Sequence, residues 1–133
     1  MDLNTNIDYT VEAKDSVEET VELLIKTLNS RGFGVLSRID VHKIIKQKLG
    51  EDIEPYVILD VCNPRQAKEA LTAHKEVGLI VPCKMTVFED HGKVLVSLYK
   101  PREMIKVLGF QDLQPLAEHA EKELRLAMDS IVA

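Results

Sequence analysis

Two cysteines stand out among the side chains that could do chemistry, and each sits where an extended run of residues breaks. Cys62 lies in Asp60-Val61-Cys62-Asn63-Pro64, a strand end followed directly by a helix start. A period of two puts Asp60 and Cys62 on one face, and the free N–H groups of the helix start lie beside the thiol. Such a setting lowers a cysteine pKa and favours thiolate. The Asp60 carboxylate pulls the other way, because it disfavours a second negative charge nearby. The residues alone leave the net direction open, and Cys62 can equally be a small buried hydrophobe. Cys83 follows Pro82 at the opening of another extended run. If its strand runs antiparallel beside the strand ending at Cys62, the thiols share an end of the sheet; parallel neighbours would part them. A bridge would further need Cα atoms within about 7 Å.

Twenty residues separate the two cysteines, which is neither a C-x-x-C redox motif nor the spacing of a zinc ribbon. The candidate ligand-binding residues are therefore Cys62, Asn63, Cys83 and Asp60. If a metal binds, the candidate ligands are Cys62, Cys83 and His74, with zinc the metal that suits them and the incomplete set implying weak binding. His42, His91 and His119 form no H-x-x-x-H or H-E-x-x-H pair and are expected at the surface. Gly32-Phe33-Gly34 lacks the spacing of a dinucleotide fingerprint and precedes a strand. No G-x-S-x-G, Walker loop or close carboxylate pair occurs, so the catalytic residues, if there are any, are unknown. Glu18, Glu19 and Glu22, and likewise Glu118, Glu121 and Glu123, read as solvated helix faces.

The elements that must position these residues are legible in the hydrophobic pattern. Ile7, Tyr9, Val11 and Ala13 alternate with polar residues as in a half-buried strand over 6–13. Ser16 and Glu19 form a capping box opening a helix over about 16–31, with Val17, Val21, Leu24, Ile25 and Leu28 on one stripe and Gly32 just past its end. A strand from Val35 to about Ile39 follows. Asp40 is placed to cap a helix of about two turns that closes at Gly50. The run from Tyr56 to Cys62 is apolar on both faces except at Asp60, as in a strand covered on both sides. Asn63 and Pro64 are the N-cap and first residue of a short helix with a small-residue face of Ala67 and Ala70. Two extended runs then meet at Asp90-His91-Gly92-Lys93, a hairpin with a tight turn. Pro101 opens another short helical stretch, and a last helix spans about Leu113 to Ile131.

The order β-α-β-α-β-α-β-β-α ends in a hairpin, which excludes an all-parallel sheet and predicts an α+β fold with a mostly antiparallel one. The 133 residues fit a single domain, 1–133, large enough to bury a core without disulfides or metal. A net charge of −5 with interleaved signs argues against nucleic acid and anionic membranes as partners. With no secretory or spanning segment legible, the chain is expected to be soluble and cytoplasmic, where its cysteines stay thiols.

Taken together, Gly32-Phe33 with Val35, Tyr56, Cys62-Asn63-Pro64 with Ala67, Pro82-Cys83, and Val87 with Gly92 carry a further implication. On these residues the chain resembles the bacterial and archaeal family catalogued as "domain of unknown function 302", over nearly its whole length. The resemblance implies a TATA-binding-protein-like α+β fold, an antiparallel sheet with helices packed on one face, and a homodimer. It implies no DNA binding, since fold is not function. Two functions compete. One is a binding domain for a metal ion or small ligand at a cysteine-containing rim. The other is a homodimeric interaction or structural module whose cysteines are buried and inert. An enzyme has the least support.

Overall fold

Alternation in the first strand sets the plan of the molecule, because it turns one face of a sheet toward a core and the other away from it. The computed structural model describes residues 5–132. Its strands are β1 (Asp8–Ala13), β2 (Gly34–Asp40), β3 (Tyr56–Cys62), β4 (Cys83–Asp90) and β5 (Lys93–Tyr99). Its helices are α1 (Val17–Asn29), α2 (Val41–Leu49), α3 (Pro64–Ala73), α4 (Pro101–Leu108) and α5 (Gln114–Asp129), with single 3₁₀ turns at Lys75–Leu79 and Gln111–Leu113. The five strands form one sheet in the order β1-β5-β4-β3-β2, and every neighbouring pair is antiparallel. The fold is α+β, as the late hairpin predicts.

Local chemistry accounts for most element ends. The Ser16 hydroxyl oxygen accepts from the Glu19 N–H at 3.2 Å and starts α1. The Glu19 carboxylate bonds the same hydroxyl at 3.0 Å instead of reaching the Ser16 N–H. Between β4 and β5 only His91 and Gly92 intervene, at φ 50° and 82°, the pair of left-handed residues that a type I′ turn requires. Asp40 precedes α2 but makes no side-chain cap; it accepts from Arg38 at 3.0 Å, where Arg38 also pairs with Glu18. One residue of β2 is extra: pairing jumps from Val35 to Ser37, leaving Leu36 as a bulge, 62% exposed, on an edge strand.

The core lies between one sheet face and helices α1 and α5. Val57, Leu59 and Val61 of β3, Met85 and Val87 of β4, and Val96 and Leu98 of β5 are fully buried there. Each such side chain stabilises the fold by roughly 1.5–3 kcal/mol relative to exposure. The opposite face is not covered in the same way. Tyr56, Ile58, Asp60 and Cys62 of β3 remain half-buried, so the run that reads as apolar on both sides is covered on one. Ile58 and a stacked pair, Tyr56 on Phe88 with centroids 5.1 Å apart, give that open face its apolar character without burying it. A second, smaller cluster of Ala70, Val77, Ile105, Leu113 and Ala117 joins α3, α4 and α5 beyond the end of the sheet.

Candidate functional site at the end of the sheet

The two cysteines meet the antiparallel condition. β3 ends at Cys62, its neighbour β4 begins at Cys83, and Val61 pairs directly with Cys83. Both thiols therefore sit at one end of the sheet. Their parity differs, because Cys83 shares the core side with Val61 and Met85 whereas Cys62 is one residue further along. Asn63 caps α3 as its type and position predict: its side-chain oxygen accepts from the Gln66 N–H at 3.1 Å, and Pro64 is the first helical residue.

Where the main core and the smaller cluster meet, a partly open cavity of about 70 Å³ remains. Its sheet-end wall includes Phe33, Val61, Cys62, Cys83 and Tyr99. Ala67 and Ala70 from α3, and Ala117 and Ala120 from α5, line it where longer side chains would fill it. The polar groups of the lining are Asn63, Gln66, the Tyr99 hydroxyl and the two thiols, with no charged residue among them. The Tyr99 hydroxyl donates to the Pro82 carbonyl at 3.4 Å, next to the cis Val81–Pro82 peptide.

Burial decides the state of the thiols. It pushes Cys83 up to about 11, an effect that a hydrogen bond with Tyr99 offsets in part and that Cys62 reinforces. Burial also raises Cys62 above its ordinary value. Tyr99 is raised too, first by burial and then by Cys83. Burial is the leading cause at each, and both sulfurs carry their protons at neutral pH.

The other candidates lie elsewhere. Asp60 is outside the lining: it accepts from Lys84 Nζ at 2.6 Å and Ser37 Oγ at 2.5 Å on the open face. Those two donors, Lys84 first, hold its carboxyl below the usual range. The expected metal set also does not assemble. His74 stacks on Phe110, with centroids 3.9 Å apart and planes 4° apart, and its Nε2 lies 2.9 Å from Asp112. Among the described residues no three His, Cys, Asp or Glu side chains are grouped to hold a metal ion. His74 is thus engaged by Phe110 and Asp112 rather than grouped with the two thiols. The remaining histidines also stay apart: His91 and His119 are exposed, and the half-buried His42 accepts at Nδ1 from the Tyr56 N–H at 3.0 Å.

Sequence reasoning misses Tyr99, Gln66 and the α5 alanines, and it misplaces one acid. Glu121 is 2% exposed, not on a solvated face. Its carboxylate accepts from the Arg102 N–H at 3.2 Å and pairs with Arg125 at 3.4 Å. The sequence carries a signal for this, since Glu121 lies four residues after Ala117 and three before Leu124, both on the buried face. Arg125 in turn lies 3.9 Å over the Tyr9 ring, whose hydroxyl donates to Asp129 at 2.5 Å. These residues line a second, polar hollow of about 320 Å³, with Glu118 and Lys122 beside them.

A one-sheet α+β domain with helices on one face and a neutral cavity at one sheet end is the class these features define. The chain belongs to the family described as "Domain of unknown function DUF302", whose model matches residues 9–131. Its fold matches the crystal structure of an uncharacterized conserved DUF302 protein from Bacillus stearothermophilus at a TM-score of 0.90 and 33% identity, covering 96% of this chain and 99% of that one. It is also 29% identical over 93 residues to fluoride-specific ion channel FluC 1 of Brucella suis biovar 1 (strain 1330), covering 69% of this chain and 36% of the channel. The same identity holds for FluC 1 of Brucella abortus biovar 1 (strain 9-941), with 34% of that protein covered. The chain thus spans about a third of the length of these curated relatives. Among the described residues no helix is long and apolar enough to cross a membrane.

Proposed function

We propose that this domain is a non-enzymatic binding module that takes a small, uncharged and largely apolar ligand at the sheet end. Cys62, Cys83 and Asn63 then serve as neutral lining groups rather than as nucleophiles or metal ligands. The observation that carries the reading is the lining itself, apolar with a few neutral polar groups, which is the usual make-up of a small-molecule site. At about 70 Å³ the space is smaller than the roughly 150 Å³ of an engineered dry cavity that accepts benzene. It suits a group of a few heavy atoms, or the apolar end of a larger molecule. A fluoride ion or other free anion is a poor fit, because no cation lines the wall.

Titration with 1-propanol, with zinc and with fluoride, followed by NMR, tests this. The alcohol is expected to shift the resonances of Ala67, Ala70, Ile105 and Ala117, and Ala117→Leu to abolish those shifts while leaving the spectrum folded. If the metal or the anion moves these signals and the alcohol does not, the reading fails.

A second reading is favoured by the curated relatives, in which a similar stretch forms about a third of a protein named as an ion channel. Here the domain is a cytoplasmic accessory module, a homodimer that meets its partner through the half-buried open face of the sheet. Cys62→Ser and Cys83→Ser would then lower stability yet leave the sedimentation behaviour and partner binding unchanged.

A further inference from the structure

The connection from β3 to β4 leaves the sheet at Asn63 and returns at Pro82. Those two points are side by side, because β3 and β4 are antiparallel neighbours with Val61 opposite Cys83. A segment anchored at two adjacent points can swing about the line joining them without breaking a rung of the sheet. The free side of this one is held through the smaller cluster, where Ala70 and Val77 are buried and Leu71, Ile80 and Val81 are partly buried. α3 buries only Ala70, and the 3₁₀ turn after it buries only Val77. By contrast α1 buries five residues and α5 six. Segments with few buried apolar contacts open at a lower free energy than the whole fold.

The far end of the segment carries a clasp. His74, the residue that ends α3, lies flat on Phe110 and pairs with Asp112, and both partners belong to the stretch between α4 and α5. The cavity lies between these two walls: Ala67, Ala70 and Val77 line it from the segment, and Ile105, Leu113 and Ala117 from the other side. Displacing the segment exposes the cavity, and releasing His74 removes a polar and aromatic tie without touching the lining.

We infer that residues 63–82 form a hinged lid over the sheet-end cavity, latched by His74 to Phe110 and Asp112, and that the lid regulates ligand access. This rests on the ligand reading above. The test is amide hydrogen exchange of the ligand-free protein, read residue by residue, in the natural chain and in His74→Ala. His74→Gln, which retains a hydrogen-bonding side chain but loses the ring, serves if the first variant does not fold. Amides of 65–80 are expected to exchange about tenfold faster in the variant, with those of β3, β4 and α1 nearly unchanged. The rate at which 1-propanol associates, from NMR line shapes, is expected to rise in parallel. Exchange in 65–80 that matches the strands in the natural chain, or a variant effect spread evenly over the molecule, overturns the lid. Because exchange needs no ligand, failure of the alcohol to bind sinks the ligand reading and the gating role but not the independent opening of 63–82, whereas binding without independent opening sinks only the lid.

Discussion

At the scale of single residues, burial raises the pKa of both Cys62 and Cys83. The consequence is measurable for Cys83. Its folded pKa, about 11, lies above its ordinary value near 9, so the native state keeps a proton that the unfolded chain gives up first. Stability from this group is complete below about pH 9 and is lost as pH rises through 11, a loss on the order of 2 kcal/mol. Urea unfolding at pH 8 and pH 11 should show that loss, and Cys83→Ser should reduce it, leaving the part due to Tyr99 and other groups. An equal alkaline loss in the variant would contradict the assignment. The direction at Cys62 was not legible in the sequence, because desolvation depends on what packs against the sulfur, and that packing comes from distant segments.

Elements were more legible than side-chain roles, for a physical reason: caps, turns and periodicity are local. Asn63-Pro64, Ser16 and Glu19, and His91-Gly92 each act within a few residues, and the structure uses them, except that the Glu19 carboxylate bonds the Ser16 hydroxyl instead of its N–H. Where tertiary contacts compete, the local reading slips. Asp40 gives its carboxylate to Arg38 instead of to α2, and Glu121 is drawn inward by two arginines. The cap at Asn63 holds one side of the cavity, so Asn63→Ala should cost about 1 kcal/mol. That cost should appear as faster amide exchange confined to α3. A change of the same size in α1 would show that the cap supports the whole fold instead.

For the whole molecule, strand order was the missing quantity. The sequence predicts an antiparallel sheet and states the condition under which Cys62 and Cys83 would share an end, and the order β1-β5-β4-β3-β2 meets it. The cavity was not predicted, because Tyr99, Ala117 and Ala120 reach it from parts of the chain far from either cysteine. One further property follows from the bulge at Leu36. An outer strand of regular pleat offers its free amides and carbonyls to any similar strand in solution, and the surplus residue in β2 spoils that match. Deleting Leu36 would put Ser37 in step after Val35 and straighten this border. The shortened protein should polymerise laterally, seen as rising light scatter at concentrations where the natural chain stays clear; an unchanged signal would mean that some other feature keeps the border from sticking.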